Sequence, residues 1–441
     1  MVAQAGSMRG MSQALPTPPS STVRCRQLLQ RWRNELCLGA REQALLAGEL
    51  RQLDRQLQRL ESRTLRVAFF GRVGVGKSSL INALIGEQLL ATDVAHGCTR
   101  RQRAVPWPQA IDGLAAVELV DTPGIDEIET AGRARLATRV AMGADLVLLV
   151  IDSDLTRIDR DALDTLLNCG KPVQLVLNRS DRWSEQELPA LLRSIQQRLS
   201  KELPLTAVAA APRRPVLDGE GRARSEQAPP RIATLSQRLI RQLSGEGELL
   251  LALHALRLAD RFQQAHQQLR LRQHRRSAQG LIGRYAAAKA TGVAMNPLIA
   301  IDLAGGLACD TALVMQLCQL YGLPMAPNSA RRLLRSVTAQ NALLGGVQLG
   351  LSALKQLLLL LVPFSGGASL APAAPVALAQ AAVAVHSTRR TGVLVAEQLL
   401  RRRGGQPGAL LQRLAQADPV VAHWLQRWPA SAASDLQPLL P

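Results

Sequence analysis

GRVGVGKSSLINALIG, residues 71–86, decides the fold. It fits G-x-x-x-x-G-K-[ST] with Gly71, Gly76, Lys77 and Ser78, and Ser79 follows directly. The apolar run LRVAFFG, 65–71, precedes it and a helical pattern opens at its end, and this strand–loop–helix context turns a motif match into evidence. Glycines let backbone N–H groups approach phosphate oxygens, Lys77 reaches the β and γ oxygens, and the Ser78 hydroxyl suits Mg²⁺. The stretch reads as the phosphate cradle of a nucleotide site.

Further apolar runs follow at 115–121, 146–151 and 172–177, separated by helical stretches. Such alternation predicts a mostly parallel sheet covered by helices, an α/β fold. The first of these runs ends in DTPG, 121–124, where Asp121 would hold the metal through water and the Gly124 amide would sense a γ-phosphate. The last ends in LNRSD, 177–181, which supplies Asn178, Arg179 and Asp181. A carboxylate can accept from both guanine N1–H and N2–H₂, a pattern adenine does not offer, so the expected nucleotide is GTP or GDP.

GRVGVGKSS, the threonine of HGCTRR, DTPG and NRSD together resemble the Era and TrmE group of small bacterial GTPases, over about residues 65–245. The resemblance implies a P-loop GTPase domain with GTP/GDP and Mg²⁺ as ligands. It implies Thr99 as the switch threonine closing on metal and γ-phosphate, beside Lys77 and Gly124 in the catalytic set, with Ser78, Thr99 and Asp121 about the metal. Gly74 and Ser79 join the phosphate-binding group, and Ala209 and Ala210 stand where relatives carry a Ser-Ala loop near guanine. Three positions depart from the pattern. Arg179 replaces the lysine of NKxD, Gly74 stands where many relatives have a potassium-holding asparagine, and Ile125 follows DTPG where Ras-like proteins place a water-orienting glutamine. Slow intrinsic hydrolysis is the expectation.

The 441 residues leave room for two or three domains, and 47% hydrophobic content supports real cores. With 2% aromatics the apolar mass is Leu, Ala and Val, which favours helix. A net charge of +19 points to anionic partners, nucleic acid or acidic lipid. Six scattered cysteines without a CxxC pair suggest a reducing compartment and no metal finger. Residues 1–23 lack the apolar core of a secretory signal and read as a disordered basic lead-in. Residues 24–64 read as an amphipathic helix with Leu46, Leu50, Leu53, Leu57 and Leu60 on a 4, 3 rhythm. The same rhythm recurs from Leu251 to Leu269, so the two seams are expected to pair. Residues 211–231, rich in Pro, Gly and charge, read as a loop.

A GTPase domain over 65–245 would be followed by an all-α hydrophobic domain, 246–403, and a tail, 404–441, that reads as a weak helix and a loose end. GVAMNPLIAIDLAGGLACDTALVMQLCQLYG, 292–322, resembles the hydrophobic domain of the YcjF-like family, whose function is poorly defined. Asp302 and Asp310 lie within it and would need a protein interior. Residues 336–354 and 356–388 carry no charge, Lys355 interrupts them, and arginines flank the pair. Either half is long enough for a helix to cross a bilayer, with a turn near 364–375 and both ends cytoplasmic. The membrane-associating reading, through residues 336–388, places a nucleotide-dependent switch on the cytoplasmic side of a membrane; a soluble Ala-rich core would make the protein cytoplasmic. An RNA- or ribosome-associated GTPase is less favoured because the second domain is aromatic-poor. A dynamin-like membrane-remodelling machine is the other alternative.

Overall fold

The computed structural model describes residues 21–90, 102–127, 130–217, 223–295, 299–321, 326–339, 354, 370–401 and 407–429. The chain divides into two units. The first comprises Met1–Cys37, Glu49–Ala259 and Pro407–Ser431, the second Leu38–Gly48, Asp260–Gln406 and Ala432–Pro441.

The continuous helix expected over 24–64 is broken into α1 (Ser21–Asn34), α2 (Ala40–Leu45) and α3 (Ala47–Ser62). The break falls at Gly39, which caps α2 in an extended conformation. The first unit then builds β1 (Thr64–Phe70), α4 (Lys77–Ile85), β2 (Arg103–Trp107), β3 (Ala116–Asp121), α5 (Thr130–Gly143) and β4 (Leu146–Ile151). It continues through α6 (Arg157–Asn168), β5 (Val173–Leu177), α7 (Glu187–Gln197) and β6 (Leu205–Ala207). The strands pair in the order β2-β3-β1-β4-β5-β6, all parallel except β2 on β3. All six residues of β4 are buried, as an unbroken apolar run demands of a central strand covered on both faces. The C-terminal ends of β1, β3, β4 and β5 therefore open onto one edge, the ligand edge of such sheets.

The antiparallel edge strand β2 escapes sequence reading because Pro106 sits in it, which is tolerated only at an edge. The segment 211–231, expected as a loop, carries instead the hairpin β7 (Arg213–Leu217) and β8 (Ala223–Gln227). Its polar, Pro-containing strands show no apolar alternation.

A buried joint ties the far end of the sheet to the flanking helices. Asp145, just before β4, accepts from Gln56 Nε2 at 2.9 Å and from the Arg66 amide at 2.8 Å, and pairs with His254 Nδ1 at 2.7 Å. Burial alone would raise the Asp145 pKa, but the hydrogen bond with His254 and the charge of nearby Arg59 hold it well below the carboxylate range. His254 belongs to α8 (Ala233–Met295), and Gln56 of α3 also donates to Leu251 O at 3.5 Å. The two leucine seams thus meet at one point, and α1 joins them where Cys25 Sγ donates to Ala252 O at 3.9 Å.

The single helix α8 runs through residue 245, where a domain boundary was expected, and passes from one unit to the other at Ala259. In the second unit its later turns pack with α9 (Ile299–Leu320), α10 (Pro327–Ala339) and α11 (Leu370–Arg401). Leu271, Ile282, Leu317, Tyr321, Leu333 and Val395 share the core. Two ion pairs are largely buried in this unit: Lys289 with Asp310 at 2.7 Å, and Arg270 with Glu42 at 2.5 Å. Asp310 therefore faces protein, while the side chain of Asp302 lies outside the described residues.

Of the two uncharged stretches and the Lys355 between them, 336–388, residues 340–353 and 355–369 lie outside the described residues. Among those described, no helix is long and apolar enough to cross a membrane. Pro372 and Pro375, expected in a turn, lie in the first two turns of α11; Pro372 falls among the first four residues, whose N–H groups need no helical partner, and Pro375 leaves the Ala371 carbonyl without one. The helix buries Gln380, Ala384 and Thr388. The stretch read as a weak helix and a loose tail carries two helices, α12 (Pro407–Ala417) and α13 (Pro419–Arg427), the latter capped by Asp418 Oδ1 accepting from Val420 N at 2.9 Å. They belong to the first unit, where the Arg257 guanidinium lies 4.5 Å from the Trp424 ring centre and donates to Trp428 O.

Candidate functional site

The loop between β1 and α4 is held in a form only glycine allows. Gly71 has φ +150°, and a Cβ there would stand 2.2 Å from Val150 O; Gly76 has φ +88°, and its Cβ would stand 2.5 Å from Asn178 Nδ2. Gly74 takes φ +79° at the exposed turn of the loop. Buried Lys77 opens α4, and its ammonium donates to Gly71 O at 3.0 Å and Arg72 O at 2.8 Å, which pulls it back across the loop. Ser79 follows half-buried on α4.

Asp121 ends β3, and Ser78 Oγ donates to its Oδ2 at 2.6 Å. A hydroxyl and a carboxylate converging at the mouth of a phosphate loop form the hard-oxygen pair that Mg²⁺ takes. The next turn folds tightly under the loop, since a Cβ on Gly124 would lie 2.8 Å from the Val73 backbone nitrogen. Ile125 is buried, with its amide donating to Gly71 O at 3.3 Å, so nothing at this position can orient a water. Thr99 lies outside the described residues.

At the end of β5, Asn178 joins three segments. Its Nδ2 donates to Val75 O at 2.9 Å, and its Oδ1 accepts from the Ala210 amide at 3.0 Å. Ala209 and Ala210 are buried, and the Ser180 amide donates to Val208 O at 3.0 Å, which brings the two loops together. Arg179 adopts a left-handed φ of 58°, and Asp181 stands exposed in a short turn, Ser180–Arg182. The structure thus brings the phosphate loop, the DTPG turn and both base-side loops to one edge of the sheet.

Four residues of this edge carry no sequence signal. Asp152, just past β4, pairs with Arg72 Nη2 at 3.0 Å through one oxygen and with Arg179 Nη1 at 3.2 Å through the other. Arg72 also reaches buried Asp159 at 3.3 Å, and Asp126 Oδ1 accepts from the Val73 amide at 2.6 Å. The arginine replacing the usual lysine is therefore tied to the phosphate loop through a carboxylate.

A glycine-rich loop between strand and helix, closed by a Ser–Asp pair and an Asn clamp, defines a P-loop nucleotide-binding domain. Residues 66–179 match the family described as the 50S ribosome-binding GTPase, and residues 257–417 match a domain of unknown function, DUF697. The chain thus carries a bacterial-type P-loop GTPase domain followed by a DUF697 domain. Among curated relatives, GTPase Der of Rhizobium johnstonii is 41% identical over 121 residues, 26% of this chain and 25% of that protein. The tRNA modification GTPase MnmE of a Synechococcus species is 36% identical over 150 residues, 33% of this chain and 31% of its own. The chain spans about a quarter to a third of the length of these relatives. A solved structure of Era from Aquifex aeolicus superposes with a TM-score of 0.33 at 21% identity, over 40% of this chain and 56% of that one, too remote to carry a conclusion.

Proposed function

We propose that the protein binds GTP with Mg²⁺ and hydrolyses it slowly, as a nucleotide-dependent switch. The observation that carries this is the Ser78 hydroxyl 2.6 Å from the Asp121 carboxylate, at the mouth of a loop where a Cβ on Gly71 or Gly76 would collide. In this reading Lys77 leaves the loop carbonyls for the β and γ oxygens, and Ser78 and, through water, Asp121 would hold the metal, which would supply charge neutralisation. Asp181 accepts from guanine N1–H and N2–H₂, while Asn178 keeps the base loop fixed to the phosphate loop. Water attacks the γ-phosphorus as the bond to the β-phosphate oxygen breaks, leaving GDP and phosphate. Ile125 gives that water no hydrogen bond, which keeps the step slow. The Gly124 amide and Thr99 would sense the γ-phosphate, and the continuous α8 gives the helical unit a covalent link to the result.

The finer part of this proposal places the switch at the cytoplasmic face of a membrane. Its support is the uncharged sequence at 336–354 and 356–388 between Arg335 and Arg389. A titration with fluorescent GTP, GDP and ATP analogues in Mg²⁺ tests the central reading. Guanine nucleotides should bind and adenine nucleotides should not; equal binding of both would overturn it.

A further inference from the structure

The described surface of the helical unit carries charge of one sign. Its described carboxylates, Glu42, Asp260, Asp310 and Glu397, are all buried or half-buried. Glu42 takes Arg270, Asp310 takes Lys289, and Asp260 accepts from Gln264 at 2.9 Å. Every fully exposed charged side chain among this unit's described residues is an arginine.

Six of them form two matched sets. Arg272, Arg275 and Arg276 share one face of α8, and Arg331, Arg332 and Arg335 share one face of α10, a helix with no acidic residue. Beside the first set Leu271 and Ala278 turn into the core, and on α10 the face away from the arginines sends Ala330, Leu333 and Leu334 into the same core. Both sets flank one corner of the bundle: Arg270 Nη1 donates to Tyr321 O at 3.1 Å, the His274 ring meets the Tyr321 ring edge-on at 6.1 Å, and α10 begins six residues after Tyr321. Like charges three and four residues apart repel, and within this unit no exposed carboxylate among the described residues offsets them.

We propose that this arginine surface docks on the headgroups of an anionic lipid bilayer. Guanidinium groups pair with phosphate oxygens in a bidentate fork, and each basic residue near an acidic bilayer adds affinity. Lipid is favoured over nucleic acid by the rest of the surface. The described aromatics of the unit, Phe262, Tyr285 and Tyr321, are buried or half-buried and offer bases no stacking platform. Leu307 and Leu378 are instead 58% and 73% exposed, the apolar complement that interfacial binding uses. This rests on the membrane part of the function proposed above and narrows it to acidic headgroups met from the surface.

Flotation of the full-length protein with phosphatidylcholine vesicles, with and without phosphatidylglycerol, tests it. The protein should float with the anionic vesicles alone and be released by high salt, since screening shortens the reach of exposed charges. Replacing Arg331, Arg332 and Arg335 together by Gln should weaken binding roughly a hundredfold, and Arg272, Arg275 and Arg276 together by Gln should do the same. Fluorescent GDP binding, unchanged in both, confirms that they fold. Equal flotation with neutral vesicles, full binding by both variants, or binding to duplex RNA but to no vesicle would overturn the proposal. Flotation by a protein that binds no guanine nucleotide would sink the switch and leave the lipid surface standing.

Discussion

In the sheet unit charges of both signs meet in pairs, Arg66 with Glu118, Arg72 with Asp152 and Asp159, Arg198 with Asp154. In the helical unit the described acids turn inward, and every fully exposed charged side chain among the described residues is an arginine. The difference separates two ways of carrying function. The sheet unit concentrates its chemistry in a few groups fixed by backbone, where one atom too many is ruinous. The helical unit spreads its chemistry over a surface, where single residues matter little and their sum matters much.

The most disruptive test of that contrast is Gly71→Ala. Its Cβ would meet the Val150 carbonyl at 2.2 Å, so the loop must shift or unfold, a loss of roughly 4 kcal/mol or more. Urea denaturation and nucleotide titration should both report it, whereas Gly305→Ala on α9, with open space around it, should leave nucleotide binding unchanged and add about 1 kcal/mol of helix stability at most. Next comes acid. Burial alone would raise the Glu42 pKa, but hydrogen bonds from Arg270 and the Gly39 amide bring it down to about 2. A depressed carboxylate stabilises above the ordinary value of 4.5 and loses that contribution as pH falls towards 2, on the order of 3 kcal/mol. Melting curves from pH 7 to pH 2 should show this loss in the native protein and a flatter profile in Glu42→Gln.

Asp181→Asn should weaken GTP about a hundredfold, the worth of a lost bidentate pair to a charged group, and improve xanthosine triphosphate. Unchanged GTP affinity would show that the exposed carboxylate does not read the base. Asp152→Asn removes the charge that joins Arg72 to Arg179, and stopped-flow release of fluorescent GDP should quicken about tenfold, the scale of a charged hydrogen bond. Replacing sodium by potassium should leave phosphate release unchanged, since Gly74 offers no side-chain oxygen; strong activation would mean the cation is held by other groups.

The contrast also explains what could be read from the chain. GRVGVGKSS, DTPG and NRSD are contiguous, and each residue type answers to a single geometric demand, so the residues they name meet at one edge. Asp152, Asp159 and Asp126 were invisible because their partners lie far along the chain and ordinary carboxylates mark nothing. The hairpin at 213–227 hid behind Pro215 and its arginines, and β2 behind Pro106. The rhythm of Leu46 to Leu60 was legible, but the break at Gly39 was not, since nothing local forbids a helix from continuing through one glycine. Residues 407–429 lacked a motif because α12 and α13 hold by packing, Trp424 against Arg257 above all.

Buried Ile125 sets a clock. On the proposed function, with no side chain to align water, the site should turn over at ~10⁻³ per second or below, and a bound triphosphate should last on the order of ten minutes or longer. Over such a span the molecule keeps a record and does not send a pulse. On the same proposal, a faster end to that record would call for a group that the described pocket does not hold.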